Sequence, residues 1–378
     1  MIYLYLSAVL LLAFIYPYLV YPLVLLLFPK RSYAPTPDTP PAETRVALLF
    51  CAYNEERALP AKIQNLREIK KHFPSLEVRV YTDCCTDASV EILRGAEDIL
   101  TLHEGLSRAG KGAGMRVLVD ATDADILIFT DAAAIIEPET IPRLISYFND
   151  PLIGTAAGTL HYVLSDDNKT ARSGSLYWRL EEFIKRLESE TGSTMGAGGA
   201  LFAMRRSLYP TIPIDLLDDM IASISPIFSG HRVVSVPDVY AFERATSDSA
   251  DEFRRKRRIA CRAFNTHRFL APQLRTMGLL NRFKYVSHKY IRWFSAAFLL
   301  LWLLFTFIAI VSLAGIVAAT VTALAGVLLL VLGLRFNLPL IGTLVEIFMS
   351  ILATGLGVLE ALAGRSYQTW TPAKSRRD

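Results

Sequence analysis

Asp125-Ile-Leu-Ile-Phe-Thr-Asp131-Ala-Ala-Ala-Ile-Ile-Glu-Pro138 carries a short strand into a loop. Ile126 to Phe129 is apolar and β-rich, of the length and type of a buried parallel strand. A carboxylate where such a strand meets solvent stands where open α/β sheets bind ligands. Upstream, Tyr81-Thr-Asp83-Cys-Cys-Thr-Asp87 follows the strand-like Val78-Arg79-Val80. Downstream come Asp218-Asp219 and the basic run Arg254 to Arg258. Acids to hold a metal and take a proton, with arginines to hold phosphate, suggest chemistry on a nucleotide diphosphate.

Around Asp131, residues 45–245 alternate short apolar runs with helical patterns. Strands are expected at 45–50, 78–82, 99–102 and 125–130. Helices are expected at 56–72, 87–94, 111–121 and 138–148, the last with Pro138 near its first turn. Such alternation predicts one α/β domain with a mostly parallel sheet. Pro35, Pro37, Pro40 and Pro41 make residues 29–44 a stiff linker.

The two ends are different in kind. The chain has 378 residues, 52% of them apolar, and a mean hydropathy of +0.33. Residues 1–28 hold no charged side chain and are long enough to cross a bilayer. They lack the positive start and small-residue cleavage site of a signal peptide. Pro17 and Pro22 are expected to kink this helix. Lys30 and Arg31 follow it, which places the next residues in the cytoplasm. Residues 294–334 carry no charge over 41 positions, enough for two spans turning near Ala314-Gly315. Residues 338–363 form a third candidate span, although Glu346 and Glu360 lie in it. Glu360 is expected at the interface, and Glu346 either packed against other helices or on a polar path. Three C-terminal spans would leave the basic tail 364–378, with Lys374-Ser-Arg-Arg377, outside. Either 338–363 does not fully cross or the charge bias yields.

The net charge of +4 conceals a local bias. Residues 251–292 hold twelve Lys/Arg and two acids, interleaved with Phe269, Leu270, Leu274, Met277, Leu280, Phe283, Val286 and Tyr290. From 261 to 292 this reads as an amphipathic segment lying on an anionic leaflet. No stacking-rich motif accompanies the charge, so no nucleic-acid partner is expected. Cys51, Cys84, Cys85 and Cys261 show no metal-ligand spacing and read as reduced thiols.

Five motifs occur in a fixed order. They are Ala52-Tyr53-Asn54-Glu55-Glu56, Thr82-Asp83-Cys-Cys-Thr-Asp87, Arg108-Ala-Gly-Lys111-Gly-Ala-Gly114, Phe129-Thr-Asp131, and Asp218-Asp219 followed by Arg255-x-x-Arg258. As a set they resemble family-2 glycosyltransferases of the GT-A fold, over roughly residues 45–260. The flanking spans are similar to those of membrane-embedded polysaccharide synthases, relatives of cellulose, chitin, hyaluronan and poly-N-acetylglucosamine synthases.

The resemblance implies a role for each residue. Tyr53 and Glu55 would cup the nucleotide base and ribose. Asp83 would accept a hydrogen bond from the base, typically uracil, whose imide N–H suits a carboxylate. Asp87 reads instead as a helix N-cap. Arg108 and Lys111, in a glycine-bearing loop, would meet phosphate. Asp131 matches the first acid of the DxD motif that holds Mg²⁺ or Mn²⁺ on the diphosphate. Ala133 stands where the second acid belongs. Asp219 matches the general base, with Asp218 raising its proton affinity. Arg258 matches the arginine of QxxRW and would clamp the diphosphate. Arg255 replaces its Gln and Ile259 its Trp. Met195 to Arg206, with Gly198 and Gly199, resembles a glycine-rich acceptor loop; Trp178 either packs in the core or touches the acceptor. Thr369-Trp370-Thr-Pro372 is similar to the Trp-containing tails of some synthases.

The expected activity is inverting transfer from a nucleotide sugar, most simply UDP-linked, to a growing polysaccharide at the cytoplasmic face of the cell membrane, with room for a partner subunit in export. The alternative is addition of one sugar to a lipid-linked acceptor. A rival of another class is a transporter or assembly subunit with an inactive transferase-like domain.

Overall fold

The computed structural model describes residues 1–30, 44–163, 169–244, 248–336 and 338–369. The linker prolines, Trp370 and the basic tail beyond it lie outside the described residues, as does the side chain of Trp178.

Four strands form the parallel half of the sheet: β1 (Val46–Ala52), β2 (Glu77–Asp83), β3 (Thr101–Gly105) and β4 (Ile126–Thr130). They are followed by β5 (Ile135–Ile136), β6 (Ile153–Val163), β7 (Leu201–Arg205) and β8 (Arg232–Arg244). The order is β3-β2-β1-β4-β7-β6-β8-β5. β7 is antiparallel to both β4 and β6, and β5 is antiparallel to β8. This is the expected mostly parallel α/β sheet. The chain leaves β1 toward β2 on one side and returns to β4 on the other. That reversal opens a crevice at the carboxyl ends of β1 and β4, beside Asp131.

Both faces of the sheet are covered. Along β1, Ala47, Leu49 and Cys51 join one apolar cluster, while Val46, Leu48, Phe50 and Ala52 join another on the opposite face. Alternation of side chains between two buried faces leaves no polar position, so the strand reads as a continuous apolar run.

Element boundaries moved where tertiary contacts hold the chain. The helix expected from residue 56 begins at Leu59. The backbone N–H of Glu55 donates to Ser89 Oγ at 2.8 Å, and that of Glu56 to Asp87 Oδ2 at 3.2 Å. These bonds tie the first loop to residues 87–89, and the Glu55 carbonyl accepts from the Ala58 amide at 2.9 Å to close a turn before the helix starts. The boundary drawn at residue 260 falls inside one helix, Ser249–Leu274. Its cap, Asp248, accepts from the amides of Ala250 and Asp251.

Among the described residues, three helices are long and apolar enough to cross a membrane: Ile2–Leu25, Ser295–Arg335 and Leu340–Leu362. The first contains a π-helical stretch at Tyr16–Val20, where Pro17 and Pro22 remove backbone donors from the ladder. It lies against the second, with Ser7 Oγ 2.7 Å from Thr306 Oγ1. Gly315 breaks the second at φ 87°. A straight helix would separate residues 296 and 333 by about 56 Å. Yet Gly355 packs on Ala296 and Gly333 on Ile341, two contacts bridged by only about 21 Å of helix. The chain therefore doubles back at Gly315, as the expected tight turn requires.

The last helix lies along Ser249–Leu274. Ser249 Oγ donates to Glu346 Oε1 at 2.8 Å, Arg257 pairs with Glu360, and Arg268 reaches the Ala361 carbonyl at 3.3 Å. Both carboxylates thus face protein partners. Beyond it the chain returns to the catalytic domain: Ser366 Oγ is 3.1 Å from Asp215 Oδ2, and Gln368 Nε2 donates to the Ala109 carbonyl at 3.2 Å.

Gly114 tests the packing of the helix Lys111–Asp120 on the sheet. A Cβ there would come within 2.8 Å of Cys51 Sγ and overlap the Tyr81 ring. Gly114→Ala should cost about 1–3 kcal/mol despite the better helix propensity of alanine. Thermal unfolding of the solubilised protein would show it; an unchanged midpoint would contradict the packing.

Candidate active site

Asp83, Asp131, Lys111, Asp218 and Asp219 sit at the carboxyl ends of strands or at helix starts, whereas Gly198 and Gly199 precede β7 and Arg255 and Arg258 lie within the helix Ser249–Leu274. Asp131 directly follows β4, and Lys111 opens the helix Lys111–Asp120. Lys111 Nζ donates to Asp131 Oδ1 at 2.6 Å. Asp218 and Asp219 begin the helix Asp218–Phe228. Gly199 brings the groups together. A Cβ on it would lie 2.8 Å from Asp219 Oδ2 and 3.5 Å from Lys111 Nζ. Only glycine leaves the two room. Gly198 beside it faces open space. The resulting small cleft is lined by Lys111, Gly199, Asp218, Asp219, Phe129 and Tyr209.

The electrostatics follow from burial. Desolvation, and then the charge on Asp218, push the Asp219 carboxyl up to about 6, while Lys111 pulls it down. Burial works against the Lys111 ammonium, but Asp131, Asp218 and Asp219 together outweigh it and raise its pKa. Lys111 therefore stays charged. Asp219 Oδ1 also accepts from the Met220 amide at 2.7 Å, which leaves Oδ2 beside Gly199.

Asp83 is fully buried and faces the protein. Oδ1 accepts from the Ala109 amide at 2.7 Å, Oδ2 from the Gly110 amide at 3.1 Å, and Arg108 Nε lies 3.5 Å away. It therefore braces the loop that delivers Lys111. Gly110 has φ 89°, a conformation that favours glycine. Arg108 stacks on the Tyr53 ring, its guanidinium carbon 3.2 Å from the centroid. Asp87 acts at the start of the helix Ser89–Arg94, accepting from the Ser89 amide at 3.0 Å.

The two expected diphosphate arginines part company. Arg255 is held by Glu252 on its own helix, with two bonds of 2.8 Å. Arg258 makes no ion pair among the described residues. Burial, and then Arg262 and Arg255, push its pKa down to about 10. A half-buried cation that no described carboxylate neutralises is suited to an anion.

Three residues escaped the sequence reading. Arg262, one turn beyond Arg258, lies 3.8 Å from Asp218 and bonds the Leu216 carbonyl. Its i+4 spacing from Arg258 was the available signal. Ser223 Oγ accepts from the Ala197 amide at 2.9 Å and ties the glycine-rich loop to the helix bearing Asp219. Lys62 is fully buried under Asp131 and donates to the Ala134 carbonyl at 2.6 Å and to Thr130 Oγ1 at 3.3 Å. Burial pushes its pKa down to about 7, against the pull of Asp131. In the sequence it was one lysine of a helix.

A mostly parallel sheet with a crevice of acids and cations at its switch point, backed by a glycine loop and a carboxylate pair at a helix start, defines a GT-A glycosyltransferase. The profile of the family described as "Glycosyltransferase like family 2" matches residues 41–261, more than half of the chain, and the chain belongs to that family. It is similar to protein RfbJ of Shigella flexneri, 26% identical over 102 residues, covering 27% of this chain and 74% of that one. It also resembles the mannosyltransferase PcManGT from Pyrobaculum calidifontis, solved in complex with GDP-Man and Mn²⁺. That likeness has a TM-score of 0.73 at 20% identity and covers 95% of this chain and 99% of that one. It establishes a shared fold over nearly the whole chain, the long apolar helices included.

Asp219 can take a proton only when ionised. With its carboxyl near 6, kcat/KM should rise with pH up to about 6 and level off above it. Asp219→Asn should lower turnover roughly 100- to 10,000-fold and abolish that acidic limb. A pH profile of released nucleoside diphosphate checks both; an intact limb in Asp219→Asn would remove Asp219 from the chemistry.

Proposed function

We propose that this chain is an inverting glycosyltransferase that moves a single sugar from a nucleoside-diphosphate sugar to a lipid-linked acceptor at the membrane face. The observation that carries the catalytic part is the position of Asp219: half-buried, raised to about 6, and open at Oδ2 beside Gly199 and Lys111.

In this reading the donor diphosphate lies between Lys111 and Arg258. Negative charge grows on the leaving diphosphate, and two fixed cations stabilise it where it develops. The acceptor hydroxyl enters over Gly198 and Gly199. Asp219 removes its proton as the oxygen attacks the anomeric carbon in line, so the configuration inverts. Arg262 holds Asp218 and keeps the carboxylate pair from repelling itself out of position. Tyr53 and Arg108 are the groups left to meet the base, because Asp83 spends its oxygens on the loop. The expectation of a UDP donor rested on Asp83, and PcManGT is described with GDP-Man.

A divalent metal fits this donor set sparsely. Among the described residues no group of three His, Cys, Asp or Glu is placed to hold one. Mg²⁺ is nevertheless commonly held by one or two carboxylates plus substrate phosphates. Asp131 would hold Mg²⁺ or Mn²⁺, which supplies positive charge to the diphosphate when bound. Lys111, 2.6 Å from Asp131, shares that task in this chain, where Ala133 replaces the second acid.

Transfer to a lipid is favoured over the polysaccharide extension that the sequence suggested. Only 6% of the apolar window in Ser295–Arg335 is buried. Its second arm, 316–332, is exposed on nearly all sides, which suits lipid rather than the wall of a glycan channel. We also propose that the doubled helix crosses out and back, with Pro339–Leu362 lying at the catalytic side along Ser249–Leu274. Contacts of Ser366 and Gln368 with the catalytic domain support that arrangement. It reconciles the basic tail with the charge rule.

Thermal shift across nucleotide sugars identifies the donor. With it, EDTA and Asp131→Ala should each lower turnover by about 100-fold or more. Full activity in both would exclude metal and Asp131 together. Labelled product should migrate as one added sugar; a ladder of long chains would reinstate polysaccharide synthesis. No turnover with any donor, in wild type and Asp219→Asn alike, would support the inactive-subunit rival.

A further inference from the structure

Away from the catalytic cleft, a dense group of buried charges joins three parts of the chain. Glu188 and Glu181 come from the helix Lys169–Glu190, and Tyr21 from the N-terminal membrane helix. Lys284, His288, Lys289 and Arg292 come from the segment that leads into the doubled helix. Glu188 is fully buried. Its Oε1 accepts from the Tyr21 hydroxyl at 2.6 Å and lies 2.8 Å from His288 Nδ1. The other His288 nitrogen is 3.0 Å from Glu181, which also pairs with Arg292 at 2.5 Å and Lys289 at 3.5 Å. Lys284 Nζ donates to the Glu188 carbonyl at 2.7 Å.

Glu188 Oε2 points the opposite way, toward the active site. It accepts from Thr194 Oγ1 and from the Met195 amide, both at 3.1 Å. Those residues begin the glycine-rich loop. The far end of that loop is held by Ser223 and presses Gly199 against Asp219. One carboxylate thus binds the membrane anchor with one oxygen and the acceptor loop with the other. Charge-assisted bonds of this kind are strong and directional, and burial removes competing water. Lys284 Nζ also reaches the Ser193 carbonyl at 3.3 Å, so the loop start is tied twice to the juxtamembrane segment.

We propose that Glu188 is a positioning residue that sets the acceptor loop, and with it Asp219, at a fixed height over the membrane, so that an acceptor carried in the bilayer meets the base in line. The proposal rests on the lipid-acceptor reading. Small displacements of a reacting group reduce rate steeply. Loss of the tie should therefore harm transfer to an acceptor held by the membrane and spare an acceptor, such as water, that diffuses freely.

Tyr21→Phe removes one hydroxyl and leaves the ring in place; Glu188→Gln, a second variant, removes the charge. Full-length protein in its own membranes is given radiolabelled donor. Sugar recovered in extractable lipid is compared with free sugar from hydrolysis, and hydrogen exchange is followed at residues 194–199. Tyr21→Phe should lower lipid labelling about tenfold, with hydrolysis and donor KM unchanged and exchange of the loop amides faster than in β1 and β4. Glu188→Gln should do the same more strongly. Equal lipid labelling in wild type and both variants overturns the proposal, as does a parallel fall in labelling and hydrolysis. If wild type labels no lipid, the lipid-acceptor reading fails on its own. Loop exchange then decides whether the tie exists, and unchanged protection in both variants overturns it.

Discussion

Two neighbouring carboxylates, the buried Asp218 and the half-buried Asp219, stand at the start of one helix, and the site is organised around the cost of keeping them there. Burial and mutual repulsion both favour a proton on the pair. Lys111 and Arg262 oppose this from two sides. The balance leaves Asp219 near 6, ionised at neutral pH yet basic enough to accept a proton. Lys111 is shared between Asp131 and the Asp218–Asp219 pair, so the two acidic parts of the cleft are coupled through one ammonium. Asp83 fits the same logic: its charge positions the loop that presents Lys111.

The membrane parts are built into this arrangement. The N-terminal helix, the juxtamembrane segment and the final helix all contact the catalytic domain through buried polar groups. Such contacts are costly to leave half made, so they hold the domain in one orientation. Glu188 extends that order to the glycine-rich loop. The chain beyond Leu362 returns to Ala109 and Asp215, next to loops that carry Lys111 and Asp219.

How far the site was legible differs by residue. Asp131, Lys111 and Asp219 were readable because each follows a strand or opens a helix in a recurrent motif order. Arg258 read as the motif arginine and Arg255 as a replacement of its Gln, and only the folded helix shows Arg255 taken up by Glu252. Asp83 was assigned outward because its motif position is that of a base-reading acid, while the amides that occupy it belong to residues 109 and 110. Lys62, Ser223 and Glu188 carried no local sign, since each depends on a partner far along the chain: Thr130 is 68 residues from Lys62, Ala197 is 26 from Ser223, and His288 is 100 from Glu188.

By itself the amino-acid sequence determined the alternation of strands and helices, the apolar ends with their turn near Gly315, and the order of the chemical groups along the chain. Those follow from periodicity, hydropathy and local backbone preference, which act over a few residues. Tertiary structure decided which acid faces the cleft, which arginine keeps its charge unpaired, and how the last helix lies. Those outcomes depend on burial and on pairing between distant segments, where a charge takes its role from the neighbours that folding brings to it.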